Sequence, residues 1–266
     1  MGVLEGKEPV VIPSGRFLLF EMVIALLVLL LYGPGSLWAF PTIGDEVNSH
    51  QTWNFDTDQA GTLPRNFVVG TTLDGRPAGE WKVIDMKQTL NLVQDLDRRE
   101  HKRIEKVLQT LEAPSPPHVL AQLKNRGFEQ DYHVVLVQGS PVTDFDLHVS
   151  FLPVAGNADM GGGLVWRARD AQNYYITRAN PLEQNIRFYR VVKGVRYKLA
   201  NFDHIISVNT WHTFRVVGRV NHFQIIFDGQ MVFDVRDETF QSGRIGLWTK
   251  ADAVTYFDDL RLSVVK

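Results

Sequence analysis

The sequence predicts an all-β fold, an antiparallel β-sandwich or jelly roll that carries one inserted surface α-helix. Two observations support this prediction. From residue 118 onward, apolar and polar residues alternate in short segments that end at turn residues. An Asp-Gly pair at 228–229 stands between two such segments, as in a tight hairpin. The 266 residues include no cysteine, which excludes disulfides, thiolate nucleophiles and cysteine-ligated zinc.

The N-terminal segment predicts export. Residues 17–32 form an apolar run that only Glu21 interrupts, with basic residues before it and a Gly-Pro-Gly break after it. The run is shorter than the roughly 20 residues of a membrane span, and Ala39 ends a segment suited to cleavage. We therefore expect residues 1–39 to be a signal peptide, or alternatively an uncleaved signal anchor. The protein is then periplasmic, envelope-associated or secreted, and membrane-anchored if the segment is retained.

Residues 40–266 are predicted to form a single sandwich domain. Its entry, residues 40–85, is rich in loops and has one or two strands. Residues 86–112 place apolar side chains at spacings of three and four among many charges of both signs, which predicts an amphipathic helix inserted into the domain. A helix lying on the sandwich with a solvated outer face is the simplest interpretation, and a lid or a partner-binding helix is the alternative. The proline-rich stretch 113–117 ends it.

The remaining strands follow from period-2 alternation. The clearest is "DFDLHVSFL", which places Phe145, Leu147, Val149 and Phe151 on one face and Asp144, Asp146, His148 and Ser150 on the other. Two runs flank Asp228-Gly229. Further strands are predicted at 132–138, 163–168, 174–179, 186–191, 196–199, 211–217, 244–248 and 254–264.

Several segments, in this order, resemble a known fold family: "GEWKV", "FDLHVSFLP", "GGGLVWRARDAQNYYITR", "FDGQMVFDV" and "GRIGLWTKADAVTYFDDLRL". They resemble concanavalin A-like lectin/glucanase domains, a family 16 glycoside hydrolase-like fold, and most of all the bacterial 3-keto-disaccharide hydrolase domain family. The resemblance covers residues 52–264 and implies a carbohydrate-active sandwich. The group contains both hydrolases and sugar-binding modules, so the fold alone does not decide between them.

Two function classes therefore stay open. One is an exported domain that binds and hydrolyses a (3-keto-)glycoside, and the other is a non-catalytic glycan-binding or scaffold module of the cell envelope. Carbohydrate is the expected partner in both. A net charge of −2 gives no reason to expect nucleic acid, and the membrane enters only through an uncleaved N-terminal segment. The Glu-x-Asp-x-x-Glu pattern of retaining glucanases fails, because Val134 follows Glu129 and Asp131 where the second glutamate is needed.

Hydrolysis of a 3-keto sugar requires fewer catalytic groups than the mechanism of a retaining glucanase. The keto group acidifies the neighbouring C–H, so one base and one charge stabiliser suffice for elimination. The candidate catalytic residues are Asp146, His148 and Asp237, with Arg167 on the next strand. For each of them a solvated surface position, an ion pair or a loop cap is the alternative.

Sugar binding needs aromatic faces and planar polar groups. The candidate ligand-binding residues lie on three consecutive predicted strands and are expected to line one face: Arg167, Tyr175, Arg178, Arg187 and Tyr189. Alternation allows only one of the neighbouring residues Tyr174 and Tyr175 to face inward.

No cofactor is required, but the last strand suggests a structural Ca²⁺. Asp258 shares the buried phase of Leu260 and Leu262, so its carboxylate needs hydrogen bonds, a bulge or a cation. Asp56 can approach it if the first and last strands are neighbours. The alternative is a rim aspartate that accepts backbone N–H bonds.

Overall fold

The computed structural model describes residues 47–265, apart from residues 74, 77, 87–97 and 124–129. The predicted export segment, residues 1–39, lies outside the described residues. Within the described part, the elements in chain order are β1 (Val47–Trp53), β2 (Phe67–Thr71), β3 (Trp81–Asp85), α1 (Arg98–Thr110), β4 (His118–Gln122), β5 (Tyr132–Val137), β6 (Phe145–Ala155), β7 (Gly162–Asp170), β8 (Asn173–Asn180), β9 (Asn185–Val192), β10 (Val195–Asp203), β11 (His212–Arg219), β12 (His222–Phe227), β13 (Gln230–Arg236), β14 (Arg244–Lys250) and β15 (Val254–Val265).

The strands form two antiparallel sheets that pack face to face, which confirms the predicted sandwich. The first sheet has the order β13-β12-β11-β6-β15-β4-β3, and the second has the order β10-β9-β8-β7-β14-β5-β2. Strand β15 is long enough to pair with β4 through its first half and with β1 through its second half. Strands β1 and β15 are therefore neighbours, as the hypothesis for Asp56 required.

The inner faces of the two sheets form the main core. The four apolar residues of β6 that alternation placed on one face are fully buried there: Phe145, Leu147, Val149 and Phe151. The layers meet directly, since the ring of Trp166 in the second sheet lies 5.7 Å from that of Phe223 in the first. Each such side chain contributes about 1.5–3 kcal/mol through burial, which makes this core the main source of stability.

The predicted strands from residue 132 onward agree with the structure to within two residues, except for the segment at 144–152, whose strand β6 continues to Ala155, and one other. The segment predicted at 196–199 is the start of a longer strand, β10. At the Asp-Gly turn, Asp228 and Gly229 have φ angles of 46° and 79°, as a type I′ hairpin requires. Residues 40–85 hold three described strands where one or two were expected. These strands are short and exposed at their edges, so alternation was weak there.

The helix is shorter in the described residues than the predicted range 86–112. Helix α1 covers Arg98–Thr110, residues 87–97 lie outside the described part, and Met86 follows β3 directly. Ile104 and Leu108 of the helix are buried in a cluster with outward-facing residues of β3, β4, β6 and β15. The helix thus covers the outer face of the first sheet. None of the described helices is long and apolar enough to span a membrane.

His212, at the start of β11, carries two hydrogen bonds that determine its charge. Its Nδ1 lies 2.7 Å from Asp228 Oδ2, and its Nε2 lies 2.9 Å from the carbonyl oxygen of Ser207. Both partners are acceptors, so both ring nitrogens must carry a proton. Burial favours the neutral ring, but the bonds to Asp228 and Ser207 outweigh it and raise the pKa of His212 above its ordinary value. The folded state therefore holds an imidazolium.

This bonding predicts a pH dependence of stability. Because the folded-state pKa is raised, the contribution of His212 is fully present below the unfolded pKa of about 6.5 and is lost as the pH rises through the folded pKa. We expect the free energy of unfolding of the wild type to fall between pH 6 and pH 9 more steeply than that of His212→Gln. Urea titrations at five pH values measure both slopes, and equal slopes would contradict the assignment.

Candidate functional site

Three of the predicted ligand-binding residues meet on the outer face of the second sheet. Arg178 of β8 and Arg187 of β9 are direct cross-strand neighbours, and Tyr189 lies two residues farther along β9. Alternation explains this placement, because every second residue of an antiparallel strand points to the same face. The two arginine side chains differ in solvent exposure: Arg178 is 2% exposed and Arg187 is 29% exposed.

The turn between β8 and β9 adds a carboxylate to this face. Glu183 Oε2 accepts a hydrogen bond from Arg178 Nη2 at 2.8 Å and forms an ion pair with Arg187 Nη1 at 2.9 Å. Asn185 fixes Arg178 from the other side, since Arg178 Nη1 donates to Asn185 Oδ1 at 2.5 Å. Partial burial opposes ionisation of Glu183, but the two guanidinium groups outweigh it and hold its pKa below the ordinary value. We call Arg178, Glu183, Asn185 and Arg187 the Arg–Glu cluster.

Aromatic side chains continue the same face toward β5 and β14. The rings of Tyr132 and Trp248 stack with centroids 5.7 Å apart. The guanidinium carbon of Arg196 lies 4.2 Å from the centroid of Tyr132 and 4.9 Å from that of Tyr189. Arg196 thus bridges the stacked pair to the tyrosine beside the Arg–Glu cluster through two cation–π contacts.

A buried acid supports the cluster from below. Asp159 is 1% exposed and accepts hydrogen bonds from the backbone N–H of Gly161 at 2.8 Å and from Asn180 Nδ2 at 3.0 Å. Burial raises the pKa of Asp159, while the ammonium group of Lys250, 3.4 Å away, opposes that effect. The sequence prediction missed Asp159, Asn180 and Glu183. Asn180 and Glu183 lie in the polar turn "NPLEQN", which has no periodicity to assign its side chains to a face, and Asp159 lies in a separate loop before β7.

Arg167 and Tyr175 do not lie on this face, which corrects the expectation that all five residues line one surface. A bulge between Trp166 and Asp170 gives Arg167 a φ of 48° and turns its side chain inward. Its guanidinium lies over the ring of Phe223 at 4.8 Å. Tyr175 has the inward phase of its strand and is fully buried.

Asp237 closes one end of the sandwich instead of meeting the other predicted catalytic residues. Tyr175 Oη donates to Asp237 Oδ1 at 2.5 Å, and Arg190 Nη1 donates to Asp237 Oδ2 at 2.7 Å. The hydroxyl of Tyr175 also accepts the backbone N–H of Phe240 at 3.1 Å. Burial opposes ionisation of Asp237, but these donors together with Thr239 keep its pKa below the ordinary value.

Asp146 and His148 lie on the outer face of the first sheet. Arg215 Nε donates to Asp146 Oδ1 at 2.9 Å, and Arg215 Nη2 binds Asp146 Oδ2, so this carboxylate is held in a two-pronged ion pair. Burial lowers the pKa of His148, which leaves its imidazole neutral near pH 7. Asp146 and His148 therefore lie on the same face of β6, whereas Asp237 lies at one end of the sandwich.

Residues 70–263, which run from the end of β2 to β15, match a protein family described as the 3-keto-alpha-glucoside-1,2-lyase-like domain. The chain belongs to this family. The matched range contains the Arg–Glu cluster, its aromatic flank and the described helix. It confirms the family that the sequence resembled, and with it a domain class of carbohydrate-binding and glycosidase-like character.

Three individual proteins are similar to this chain at sequence identities of 10–26%. Levanase from Bacillus subtilis (strain 168) is 26% identical over 121 residues, which are 44% of this chain and 17% of levanase. The carbohydrate-binding module CBM66 from Bacillus subtilis has a TM-score of 0.49 and 21% identity, covering 54% of this chain and 86% of that module. A native glycosidic hydrolase has a TM-score of 0.46 and 10% identity, with 82% of this chain and 96% of that one covered.

The carboxylate of Asp258 is bound by hydrogen-bond donors of the protein, as the alternative to a calcium ion requires. Its Oδ2 accepts the backbone N–H of Ser115 at 2.8 Å, and its Oδ1 accepts the Ser115 hydroxyl at 3.0 Å and the Asp259 N–H at 2.7 Å. Burial raises its pKa to about 7. Asp56 instead binds Asn54 and the backbone N–H of His118. Among the described residues, no group of three or more His, Asp or Glu side chains is placed to hold a metal.

Proposed function

We propose that the domain binds a carbohydrate at the Arg–Glu cluster on the outer face of the second sheet. The observation that carries the proposal is the Glu183 carboxylate, which is ionised, partly exposed and fixed between two guanidinium groups. Sugar hydroxyls donate well to a carboxylate and accept well from a guanidinium, and one vicinal diol can do both. The proposal includes the export predicted from residues 1–39.

The cluster is ordered before any ligand arrives. Arg178 is held by Asn185 and Glu183, and Arg187 Nε donates to Asn201 Oδ1 at 3.0 Å. Because these side chains are already fixed, a ligand loses little conformational entropy by binding them. Arg178 is buried, so we assign it a positioning role. Glu183 and Arg187 have exposed surface and are the residues that contact the sugar.

A second candidate function is the elimination that the family description names. A base removes the proton on the carbon next to the 3-keto group, the glycosidic C–O bond breaks, the sugar gains a C=C bond and the aglycone leaves with a proton. Among the three predicted catalytic residues, His148 has the lowered pKa that suits a base, whereas Asp146 is bound in an ion pair with Arg215 and hydrogen-bond donors keep the pKa of Asp237 below its ordinary value. Its place on the other sheet separates this reaction from sugar binding at the Arg–Glu cluster.

Calorimetric titration of the purified domain with levan, neutral gluco-oligosaccharides and a 3-keto-disaccharide tests both functions. Levan is included because levanase is a relative. We expect Glu183→Gln and Arg187→Ala each to weaken sugar binding at least about 10-fold, which corresponds to about 1.4 kcal/mol. Asp146→Asn, an ion-pair partner on the opposite sheet, is the matched control and should bind as the wild type does.

The outcomes separate the two functions. Unchanged affinity of Glu183→Gln and Arg187→Ala, with intact folding by circular dichroism, contradicts the binding proposal. Release of the aglycone from the 3-keto-disaccharide by the wild type, lost in His148→Gln but kept in Glu183→Gln, would show the elimination. Cleavage that His148→Gln retains would exclude His148 as the base.

A further inference from the structure

A cleft that is distinct from the Arg–Glu cluster lies where the two sheets separate along the edge formed by β1. It has a volume of about 370 Å³, within the range of small-molecule sites, about 300–1,000 Å³. The alternate residues of β1, including Gln51 and Trp53, face into it. Gln138 and Ser140, between β5 and β6, form the opposite wall, and Arg244 of β14 closes one side.

The register of β1 explains why these residues face the cleft. Gln51 is paired with Leu262 and Trp53 with Leu260 on β15. On the other face of β1, His50 Nδ1 lies 3.1 Å from Ser263 Oγ, and Thr52 Oγ1 lies 3.1 Å from His50 Nε2. These outward contacts fix the phase of the strand, so a slip of one residue would turn Gln51 and Trp53 away from the cleft.

The chemistry of the cleft suits a neutral polyhydroxyl compound. Trp53 is half-buried and packs edge-on against Phe67, with centroids 6.2 Å apart and an interplanar angle of 90°. Such a fixed, partly exposed indole offers an apolar surface for a sugar ring. The amides of Gln51 and Gln138 and the hydroxyl of Ser140 supply both donors and acceptors. The residues that line this cleft include an arginine and no carboxylate, so a cationic ligand would find no counter-charge.

We propose that this cleft is a second carbohydrate-binding site, which takes a sugar unit of a neutral glycan. It is separate from the Arg–Glu cluster, because that cluster lies on the outer face of β8 and β9, whereas the cleft opens between the two sheets beside β14 and β1. One chain then engages a polymer at two points, and the second contact occurs at a high effective concentration. This proposal for the cleft does not depend on sugar binding at the Arg–Glu cluster.

The test is the stoichiometry of binding, measured with the full-length protein and short neutral gluco-, fructo- and galacto-oligosaccharides. The double variant Gln51→Ala/Gln138→Ala removes the amides of the cleft. It leaves Trp53, which packs against the core, in place. Thr52→Ala, on the opposite face of the same strand, is the matched control. With an oligosaccharide that binds both sites, we expect two sites in the wild type and in Thr52→Ala, and one site in the double variant.

The result separates this proposal from the first one. Glu183→Gln should also leave one site, and combining it with the double variant should leave none. If the Arg–Glu cluster fails to bind sugar, the wild type shows one site, which the double variant loses and Glu183→Gln keeps. If the folded double variant binds every oligosaccharide with the stoichiometry and affinity of the wild type, or if nothing in the panel binds at the cleft at millimolar concentration, the proposal is overturned. Binding of an extended peptide alone, along the edge of β1, overturns it as well.

Discussion

Arg167→Ala is expected to lower the free energy of unfolding by about 2–4 kcal/mol, because the native side chain is itself buried and donates to two carbonyl groups at once, one of them buried. Arg167 Nη2 donates to the carbonyl oxygen of Thr143 at 2.8 Å, and its Nη1 donates to that of Phe240 at 2.9 Å. The side chain is 1% exposed. Truncation leaves the buried carbonyl of Phe240 without its donor, which costs about 1–3 kcal/mol, and the part-buried carbonyl of Thr143 also loses its charged donor. It also removes the contact with Phe223.

Urea titration followed by circular dichroism measures this effect. Arg215→Ala is the matched control, since Arg215 also binds an aspartate but its side chain is 52% exposed. Exposed pairs contribute about 0–1 kcal/mol, so the control should remain close to the wild type. Arg167→Lys restores one donor and should recover part of the loss. If Arg167→Ala unfolds at the same urea concentration as Arg215→Ala, the structural role assigned to Arg167 is wrong.

Arg167 also shows what alternation can and cannot predict. In a regular strand it would point away from Trp166 and join Arg178 on the outer face. The bulge reverses its phase, and the bulge depends on a close approach of another strand. A Cβ on Gly243 would lie 2.3 Å from the carbonyl carbon of Arg167, so the two backbones pack where no side chain fits. This approach joins residues far apart in the sequence, so no local pattern reveals it.

Regular strands, by contrast, were predictable. The inward and outward faces of β6 follow from the period-2 pattern, because its inward face is apolar and its outward face is polar. The same rule identified Asp258 as an acid in a buried phase. Its partner could not be identified, because Ser115 lies 143 residues away and reaches Asp258 only through the pairing of β4 with β15. Periodicity predicts a burial requirement, and tertiary contacts decide how it is met.

The Arg–Glu cluster was predictable only in part, for a related reason. Arg178 and Arg187 lie on strands and could be assigned to a face. Glu183 lies in the turn between them, where no periodicity applies. Its position depends on the length of that turn, which brings the carboxylate back over the two arginines that flank it. The group that makes the cluster suited to sugar binding is therefore the one that the sequence pattern could not assign.

The expected effect of Gly163→Ala follows from the spacing between β7 and β8. A Cβ at this position would lie 2.3 Å from the carbonyl oxygen of Thr177, and 3.0 Å from both Arg178 Cβ and Ile176 Cδ1. The first contact is with backbone, which cannot move without separating two central strands. We expect the free energy of unfolding to fall by about 2–4 kcal/mol, the upper range for forced repacking of a core.

Gly139→Ala is the matched control, since a Cβ there meets nothing within 4 Å. It should unfold within about 0.5 kcal/mol of the wild type in the same urea titration. Gly163 also lies directly opposite Arg178. The added methyl group should therefore displace the buried guanidinium that positions Glu183, and the folded fraction of Gly163→Ala should bind sugar at the Arg–Glu cluster more weakly than the wild type does. Loss of stability without loss of affinity would show that Glu183 keeps its place without Arg178, and Arg187 would then be the cation that holds it.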